Sequence, residues 1–490
     1  MTPQHASITP HGADEVLVGL DVGTTGAKAV AISPRGEVLA RAQEDYQLST
    51  PRPGWSEQDP EDWWRASEAA LAAVGADRAQ GVGLSGQMHG LVVLDAADYV
   101  IRPAILWNDQ RTAAECAEIE ERVGLQSLIQ LTGNRALTGF TAPKLLWLRK
   151  HEPEAYARIR HVLLPKDYVR LRLTSERLTD VADASGTLLF DVSRRRWSRE
   201  VLDALEIPYE WLPRALESPD VSGRTGDGVP VAAGAGDQAA GALGVGVDRP
   251  GPLSVVLGTS GVVFAALRSF EADAGARVHA FCHAVPRGWH AMGVMLSAAG
   301  SLRWLRDVLA PGAGYEELAA EAMQIPAGAA GALFLPYLSG ERTPHADPEA
   351  RAAFVGLELG HGRGTLVRAV LEGVAYGLRD SLQLLLELGV RPEVGRASGG
   401  GARSRLWLEI VASVLGLPLE LSAAEEGAAY GAALLGGVAA GVFADVPEAV
   451  EACVRVRDRV EPNDAWRGAY DDGYARFRTL YPALKPLEEA

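Results

Sequence analysis

Residues 16–33, VLVGLDVGTTGAKAVAIS, decide the fold because they predict two strands joined by a glycine turn. Val16 to Asp21 is predicted as a short buried strand, Gly23 to Gly26 as the tight turn and Lys28 to Ser33 as the returning strand. Glycine lets the turn point its backbone N–H groups outward, and the threonine hydroxyls between the glycines add further donors. Such a turn is typical of a site for phosphate oxygens.

The same arrangement recurs in the second half of the chain. Leu253 to Leu257 is predicted as a strand, Gly258 to Gly261 as its turn and Val262 to Leu267 as the second strand. Only the first turn has a carboxylate beside it, that of Asp21. Two facing phosphate turns with one carboxylate predict a cleft for a nucleotide and one metal ion, which Asp21 anchors. The alternative is two ordinary hairpins, with Asp21 capping its own turn through hydrogen bonds.

Length and composition predict a globular protein of two domains. A chain of 490 residues exceeds what one core usually supports, and a cluster of proline and glycine from Asp248 to Pro252 marks the break. We therefore predict domains over residues 15–248 and 249–485. Hydrophobic content of 47% with 22% charged residues is ordinary for a globular protein, and a net charge of −16 argues against a nucleic-acid partner.

Cysteine usage and hydropathy predict the compartment. Cys116, Cys282 and Cys453 lie far apart and are predicted as buried thiols in a reducing environment. Residues 1–14 are polar and resemble a frayed extension rather than a signal peptide. No window approaches roughly 18 uninterrupted apolar residues, so we expect no membrane span and a cytoplasmic protein.

Helix and strand signals alternate after the first hairpin. Asp59-Pro60 is predicted to begin a helix that runs to about Val74, because Asp is a common N-cap and Pro suits the first helical position. A strand over Gln80 to Ser85 follows, and helix signals dominate from Arg111 to Glu210, an insertion expected to carry substrate contacts. Further helices are predicted over residues 366–388, 404–415 and 425–438. The pattern predicts a mixed α/β fold.

Asp237 is the first candidate for chemistry. It follows the small-residue strand Val231 to Gly236 and begins an Ala- and Gly-rich helix, so its carboxylate lies at an open strand-to-helix junction. Phosphoryl transfer to a hydroxyl needs an acceptor for the hydroxyl proton near the γ-phosphate, and a carboxylate can serve. The competing interpretation is that Asp237 only caps its helix.

Two polar segments are candidates for binding a polyol. Ser85 to Gly90 follows a strand, and its Gln87 and His89 offer donors and acceptors for hydroxyl groups. Trp107 to Arg111 places an aromatic plane beside Asn, Asp and Gln side chains, the usual composition of a sugar pocket. A single histidine is more often a satisfied structural residue, and that alternative stays open for His89.

Two further loops have candidate roles. Gly399 to Ser404 begins with three glycines, which allow close approach of a flat ring, and Arg403 can stack on that ring or hold a phosphate. Gly340 to His345 is a polar loop that we interpret either as a lid for domain closure or as an ordinary solvated loop.

These segments together resemble the FGGY family of carbohydrate kinases over essentially the whole chain. The resemblance rests on eight segments: 20–25, 85–90, 102–109, 139–147, 164–168, 236–241, 257–261 and 340–345. Residues 87–90, Gln-Met-His-Gly, discriminate best and resemble the members that phosphorylate D-xylulose. The resemblance implies an α/β fold of two actin-like domains with ribonuclease-H topology and a catalytic cleft between them.

The resemblance also implies a role for each matching residue. Asp237 matches the base that deprotonates the sugar hydroxyl, and Asp21 matches a carboxylate close to Mg²⁺. The residues expected at the sugar are Gln87, Met88, His89, Trp107, Asp109 and Gln238. Those expected at the nucleotide are Thr24, Thr25, Lys28, Gly258, Thr259, Trp304, Gly400, Gly401, Arg403 and Ser404. Gln238 stands where several members of the family carry Asn beside the base.

The implied reaction is transfer of the γ-phosphoryl group of ATP, with Mg²⁺, to the 5-hydroxyl of D-xylulose. Two alternatives stay open: a kinase for another ketose or polyol, such as ribulose or L-xylulose, and an actin-like sugar-binding regulator without turnover. The presence of both Asp21 and Asp237 argues against the regulator, since a protein that only binds needs no second carboxylate. The implied partners are a small ketose and ATP, and the implied assembly is a monomer or homodimer.

Overall fold

Two mixed β-sheets, each packed against helices, organise the molecule. The computed structural model describes residues 15–424 and 426–488. The expectation of a frayed extension over residues 1–14 lies outside these described residues. So does residue 425, the predicted start of the 425–438 helix.

The first half of the chain begins with the predicted hairpin and continues into a helix-rich segment. Its strands are β1 (Leu17–Val22), β2 (Gly26–Ile32), β3 (Val38–Asp45), β4 (Glu57–Gln58), β5 (Gly81–Gly86), β6 (Val92–Leu94), β7 (Ala104–Ile105), β8 (His161–Leu163), β9 (Leu178–Asp180), β10 (Phe190–Asp191), β11 (Arg196–Trp197), β12 (Arg214–Leu216), β13 (Val221–Arg224), β14 (Pro230–Ala232) and β15 (Ala235–Gly236). Its helices are α1 (Pro60–Ala73), α2 (Ala113–Val123), α3 (Leu125–Thr132), α4 (Thr141–His151), α5 (Pro153–Arg158), α6 (Pro165–Thr174), α7 (Val181–Ala184), α8 (Arg199–Leu205) and α9 (Asp237–Gly244).

A seven-stranded sheet forms the centre of this half, in the order β13-β14-β5-β1-β2-β3 with β15 also paired to β5. β1, β2 and β3 are antiparallel neighbours, whereas β5 runs parallel to both β1 and β15. Parallel neighbours end at the same edge of a sheet, so β1, β5 and β15 bring their C-terminal ends together. The residues that follow these three strands form the first wall of the candidate site.

The second half repeats the strand–turn–strand beginning. Its strands are β16 (Pro252–Leu257), β17 (Gly261–Leu267), β18 (His279–Cys282), β19 (Trp289–Met295), β20 (Leu333–Leu335), β21 (Ala353–Val355), β22 (Val394–Ser398), β23 (Leu419–Ser422) and β24 (Val456–Val460). Its helices are α10 (Ala299–Leu309), α11 (Tyr315–Met323), α12 (Arg363–Glu387), α13 (Arg405–Leu415), α14 (Gly427–Ala439), α15 (Val446–Cys453), α16 (Arg467–Phe477) and α17 (Leu480–Glu488).

The second seven-stranded sheet has the order β18-β19-β17-β16-β22-β23-β24. β16 is antiparallel to β17 and parallel to β22, as β1 is antiparallel to β2 and parallel to β5. The run β19-β17-β16-β22-β23 therefore corresponds to the run β3-β2-β1-β5-β14 of the first sheet. The two halves share one strand plan.

Helix α14 belongs to the second half of the chain but lies on the sheet of the first. A Cβ at Gly19 of β1 would lie 1.9 Å from the carbonyl oxygen of Ala429, and one at Gly83 of β5 would lie 1.7 Å from that of Ala432. Only small residues on both sides permit this approach, which explains the Ala- and Gly-rich sequence of the helix. The boundary predicted at residue 248 stays a prediction, because α14 links the two sheets across it.

Several local predictions can be compared with the structure directly. α1 begins at Pro60, and the side chain of Asp59 accepts a hydrogen bond from the N–H of Glu61, as the capping signal predicts. Cys282 and Cys453 are buried thiols, but the prediction is wrong for Cys116, which is partly buried because most of α2 reaches the surface. In the described part of the chain, no helix has the length and apolar character needed to cross a membrane.

Candidate active site

Asp21 lies at the end of β1, beside the end of β5. Its register partners are Lys28 across the hairpin and Ser85 on β5. The Ser85 hydroxyl donates to Oδ1 of Asp21 at 3.0 Å. Burial raises the pKa of Asp21, whereas the Ser85 hydrogen bond and the Lys28 ammonium lower it. One carboxylate oxygen is thus fixed by the sheet, and the other remains available toward the turn.

Asp237 is the first residue of α9, directly after β15. The N-cap position is Gly236, so Asp237 lies at the first helical position rather than at the cap, and its carboxylate accepts a hydrogen bond from the backbone N–H of Gln238. Burial, followed by the negative charge of Asp21, raises the pKa of Asp237 to about 7. The Gln238 amide donates to Oδ1 of Asp237 at 3.4 Å. A carboxylate whose pKa is raised to near neutrality by burial and by the charge of a second carboxylate has the properties of a general base.

The first glycine turn presents its amide groups outward. The carbonyl oxygen of Gly23 accepts from the Tyr46 hydroxyl at 2.6 Å and from the Gln87 amide at 3.2 Å. The carbonyl oxygen of Thr24 accepts from the Gln58 amide at 2.7 Å. Among the described residues, the N–H groups of Thr24 and Thr25 have no hydrogen-bond partner. This is the geometry of an anion nest, with carbonyl groups held back and N–H groups exposed.

The segment after β5 forms a compact wall beside Asp237. The N–H of Gln87 donates to the carbonyl oxygen of Val22, and Met88 is buried against Gly236, where an added Cβ would lie 2.7 Å from the Met88 Cγ. His89 has a left-handed backbone, with φ of 70°. Its carbonyl oxygen accepts from the Thr141 hydroxyl at 3.0 Å and from Lys144 Nζ at 2.9 Å. These two donors hold the strained peptide in place.

The protonation state of His89 follows from its contacts. Nδ1 lies 2.6 Å from the carbonyl oxygen of Gly186, which can only accept, so Nδ1 carries the proton. Burial and the charge of Lys144 lower the pKa of His89 to about 3, so the ring is neutral at physiological pH. Nε2 is therefore left as an acceptor. An acceptor at this position suits the hydrogen of a sugar hydroxyl.

Trp107 and Asp109 lie on one loop but differ in availability. The Trp107 indole N–H donates to the Thr24 hydroxyl at 3.0 Å, which joins the predicted sugar wall to the first turn. Asp109 has no exposed surface, and its carboxylate accepts from the N–H of Ser56 at 2.7 Å and from the Arg111 guanidinium at 2.7 Å. The structure therefore does not bring Asp109 to the cleft, because both carboxylate oxygens are already used to hold the loop.

The second glycine turn is held by a helix instead of by side chains. The carbonyl oxygens of Gly258 and Thr259 accept from the N–H groups of Ala299 and Ala298, both at 2.8 Å, at the start of α10. The N–H groups of Thr259 and Ser260 have no hydrogen-bond partner among the described residues. The second turn is thus also open toward an anion, although it is fixed differently.

The third predicted nucleotide element, Gly399 to Ser404, lies directly beside the second turn. β22 is parallel to β16, and a Cβ at Gly399 would lie 2.7 Å from the carbonyl carbon of Leu257. Gly400 has open space where a side chain would be, whereas Gly401 is buried against Leu257 and Trp407. The sequence predicts one turn here, and the structure has a short 3₁₀ helix over Gly400–Arg403.

The remaining nucleotide predictions fall around these turns. Trp304 lies on α10 with 37% of its surface exposed, and its ring stacks on Phe334 with centroids 6.2 Å apart. Ser404 is the N-cap of α13 and accepts from the N–H of Trp407 at 3.4 Å. Arg403 is exposed at the end of the 3₁₀ helix. Gly401 and Ser404 thus have structural roles in packing and helix capping. Trp304, Gly400 and Arg403 lie at the surface, where a nucleotide could contact them.

The residues at Asp21 fit a magnesium ion that is held mainly by water and phosphate. Within the described ranges, no group of three or more His, Cys, Asp or Glu side chains could hold a metal by itself. Magnesium usually takes one or two protein carboxylates and keeps several waters or phosphate oxygens. Oδ2 of Asp21 lies beside the first turn, 3.9 Å from a Cβ built at Gly23, and matches that ligand set.

A buried ionic network stands behind the Asp237 wall. Lys166 Nζ contacts carboxylate oxygens of Asp167, Asp180 and Asp183 at 2.7, 2.6 and 3.0 Å. An added Cβ at Gly236 would lie 3.4 Å from Oδ1 of Asp183, so the network backs the residue before Asp237. From sequence, Lys166 and Asp167 belong only to the segment 164–168 that resembles the family, with no role predicted for either residue. Charged residues within an apolar stretch were the signal that they are paired and buried.

Gln58 and Tyr46 also escaped sequence reasoning. Gln58 accepts from the Trp63 indole and from Gln87, each at 3.0 Å, and donates to Thr24, so it joins the sugar wall to the phosphate turn. Neither residue belongs to a recognisable pattern, since their contacts lie across segments distant in sequence. No local signal could have found them.

Comparison with known proteins defines the class. The model described as "FGGY family of carbohydrate kinases, N-terminal domain" matches residues 16–244, and the corresponding C-terminal domain model matches residues 253–440. The chain belongs to the FGGY family of carbohydrate kinases. The predicted family is therefore confirmed, and with it the enzyme class.

Individual relatives extend the match to the whole chain. The xylulose kinase of Escherichia coli K12 is 42% identical over 96% of this chain and 100% of its own. A crystal structure described as that of a xyloylose kinase from Brucella ovis is 42% identical, with a TM-score of 0.91 over 96% of this chain and 100% of that one. A structure described as gluconate kinase from Lactobacillus acidophilus has a TM-score of 0.91 at 25% identity, over 96% and 98%. The predicted fold of two actin-like domains is confirmed.

Proposed function

We propose that this kinase transfers the γ-phosphoryl group of ATP to the 5-hydroxyl of D-xylulose, which gives D-xylulose 5-phosphate and ADP. The observation that carries the proposal is Asp237, a carboxylate at the junction of β15 and α9 whose pKa is raised by burial and by the negative charge of Asp21. The name of the Escherichia coli relative, at 42% identity over its full length, supports the choice of sugar.

In this proposal Asp237 accepts the proton of the 5-hydroxyl while the oxygen of that hydroxyl attacks the γ-phosphorus of ATP. A pKa of about 7 suits this step, because the group is partly ionised near neutrality and still basic enough to take the proton. Gln238 steadies the carboxylate through its 3.4 Å hydrogen bond. Gln238 also stays among the residues predicted at the sugar.

The sugar lies against the wall formed by Gln87, Met88, His89 and Trp107. His89 accepts a hydroxyl hydrogen at Nε2, Met88 supplies an apolar floor beside Gly236, and Trp107 covers one face. Asp109 is assigned to holding this loop through Arg111 and Ser56, since its carboxylate has no free oxygen. The family's closure of two domains would exclude water, which otherwise competes for the phosphoryl group.

The nucleotide spans the two glycine turns. The open N–H groups of Thr24 and Thr25 suit the terminal phosphates near Asp237, and the turn at Gly258-Thr259 suits the remaining ones. Gly400 and Trp304 offer flat surface for the adenosine. Asp21 would hold Mg²⁺, which would supply positive charge to the phosphate oxygens, and Lys28 beside it would hold a phosphate oxygen.

The alternatives have observations that weigh on them. The gluconate kinase fold matches as closely as the Brucella ovis structure, so the fold does not choose the sugar. The substrate choice therefore depends on the pocket around His89, where residues 87–90 resemble the members that phosphorylate D-xylulose. A regulator without turnover has no use for a carboxylate whose pKa is tuned to about 7.

The test is ADP release from MgATP in a coupled assay with D-xylulose, ribulose, L-xylulose, glycerol, gluconate or no sugar. We expect the highest kcat/KM with D-xylulose, and in Asp237→Asn a loss of kcat of about 10²–10⁴-fold with little change in sugar affinity. Asp203→Asn, an exposed carboxylate on α8, is the matched control and should leave turnover unchanged. A higher kcat/KM with another polyol would keep the kinase activity but reject D-xylulose as the substrate. Full turnover in Asp237→Asn would reject Asp237 as the general base.

We also propose a cytoplasmic location and a monomeric or homodimeric state. The free thiols of Cys116, Cys282 and Cys453 support a reducing compartment. Measurement of the molar mass in solution by light scattering tests the assembly.

A further inference from the structure

The loop from Gly340 to His345 is fastened tightly to the end of β19. The N–H of Thr343 donates to the carbonyl oxygen of Val294, and the N–H of Val294 donates to the Thr343 hydroxyl, both at 3.0 Å. The N–H of Leu296 donates to the Glu341 carboxylate at 3.0 Å. Arg342 lies between these anchors, so its backbone position is fixed by the sheet of the second half. The loop is therefore not an ordinary solvated one.

The Arg342 side chain extends to the sugar wall of the first half. A Cβ at Gly139 would lie 3.7 Å from Arg342 Nη2 and 2.5 Å from the carbonyl oxygen of Trp107. The guanidinium charge also acts on His89, whose pKa it helps to lower. His89 and Phe140 are in contact, with ring centroids 4.8 Å apart. Arg342 thus stands beside the residues proposed to bind the sugar.

This guanidinium has no partner in the part of the chain that the structure describes. No hydrogen bond or ion pair of the guanidinium nitrogens falls within residues 15–424 and 426–488, and Arg342 is half-buried, with its backbone N–H held by the Glu341 carboxylate at 2.7 Å. Burial lowers the pKa of Arg342, and only the adjacent Glu341 opposes that shift. A half-buried guanidinium without a protein partner keeps its N–H donors available to a ligand.

We propose that Arg342 is a further sugar-contacting residue, supplied by the second half, which donates hydrogen bonds to the keto oxygen of the bound ketose. The inference rests on the proposed function, since it names an atom of that substrate. A keto oxygen only accepts hydrogen bonds and a guanidinium only donates them. His89, which accepts at Nε2, complements Arg342 by taking the neighbouring hydroxyl. Arg342 and His89 together would bind the hydroxyketone end of the sugar, which is the end away from the 5-hydroxyl.

A contact from the second half to a sugar on the first also links binding to the closed arrangement of the two sheets. Removal of the guanidinium should therefore weaken the ketose without changing the nucleotide site. It should not destabilise the protein, because the side chain has no internal partner to lose. A structural arginine would behave in the opposite way.

The experiment compares wild type, Arg342→Met, Arg342→Lys and the control Arg268→Met, an exposed arginine that follows β17. Steady-state constants are measured for D-xylulose, for xylitol, which has a hydroxyl in place of the keto oxygen, and for ATP. For Arg342→Met we expect KM for D-xylulose to rise about tenfold or more, with KM for ATP and the melting temperature unchanged. The ketose-to-polyol ratio of kcat/KM should fall about tenfold, and Arg342→Lys should lie between.

Three results overturn the inference while leaving the proposed function standing. The first is that Arg342→Met turns over D-xylulose at the wild-type rate with an unchanged sugar KM. The second is an equal loss of kcat/KM for ketose and polyol, and the third is a lower melting temperature that accounts for the lost activity. Absence of wild-type turnover with D-xylulose overturns the proposed function and the inference together, so the failures are distinguishable.

Discussion

The two glycine turns have the same sequence pattern and the same place in their sheets, yet they differ in geometry and charge. In the first, Val22 pairs with Ala27, which leaves the four residues Gly23 to Gly26 between the strands. In the second, Leu257 pairs with Gly261, which leaves the three residues Gly258 to Ser260. One pattern therefore forms two different turns, because the strands beside each turn settle the register.

The surroundings of the two turns differ even more. Asp21 and Lys28 are cross-strand partners in the first hairpin, whereas Val256 and Val262 are partners in the second. Side chains of Tyr46, Gln58 and Gln87 hold the first turn, and the start of α10 holds the second. The phosphate site proposed at the first turn is therefore joined to a charged pair and to the proposed sugar wall, whereas the second turn presents only backbone groups.

Asp21→Val gives the first hairpin the residue type that the second has at Val256, and we expect it to have the largest effect on activity. We expect kcat to fall at least about a hundredfold, because loss of the metal-proximal carboxylate removes several kcal/mol of charge stabilisation. The concentration of Mg²⁺ for half-maximal rate should rise as well. Steady-state rates at varied Mg²⁺ measure both effects. Val256→Ala at the matching position should keep most of the turnover, and an equal loss in both variants would contradict the assignment.

Gly400 and Gly399 test whether the backbone beside the second turn binds the nucleotide. Nothing lies within 4 Å of a Cβ built at Gly400, so Gly400→Ala can only disturb a ligand. We expect KM for ATP to rise about tenfold with an unchanged melting temperature, since a methyl group would occupy the approach of the nucleotide. Gly399 has φ of 87° and its Cβ would meet Leu257, so Gly399→Ala should also lower the melting temperature. Unchanged ATP kinetics in Gly400→Ala would remove Gly400 from the site.

Much of this arrangement could be predicted from sequence because the signals are local. The hairpins, the capped start of α1 and the helix α12 follow from periodicity and end signals within a few residues. The positions of Asp21, Asp237 and the Gln87–His89 segment follow because parallel strands end at one edge. The FGGY resemblance then added roles that spacing alone does not supply.

The remainder depends on contacts between segments far apart in the chain. Asp109 looks like a sugar ligand until Arg111 and Ser56 occupy its oxygens. The passage of α14 across the first sheet requires glycines at positions 19 and 83, which local patterns do not connect to residues 429 and 432. The one-residue difference between the two turns is likewise set by neighbours rather than by the turn sequences.

The raised pKa of Asp237 should make stability depend on pH, an effect that we do not expect from the second turn. Its native pKa of about 7 lies above the reference value of 3.8, so the native state binds this proton more tightly than the unfolded state. Stability is therefore lost as pH rises from about 4 to about 7. Asn is neutral throughout, so Asp237→Asn should melt several degrees higher than wild type at pH 8, with a smaller difference at pH 5. Thermal scans measure this, with Asp203→Asn as the control; a constant difference would reject the raised pKa.

The link from Thr24 to the sugar wall is the finest difference between the turns. The Thr24 hydroxyl accepts from the Trp107 indole at 3.0 Å and donates to Oε1 of Gln87 at 3.4 Å, whereas Thr259 is exposed at its turn. Trp107→Phe and Thr24→Val should each raise KM for D-xylulose by a few fold, about the worth of one hydrogen bond.

Both substitutions remove the bond between Trp107 and Thr24, and Thr24→Val also removes the bond to Gln87. The double variant should therefore be little worse than Thr24→Val alone, and Thr259→Val should leave the sugar KM unchanged. A double-mutant cycle on kcat/KM measures the coupling. Fully additive losses would mean that Thr24 and Trp107 act separately, and the first turn would then differ from the second in charge alone.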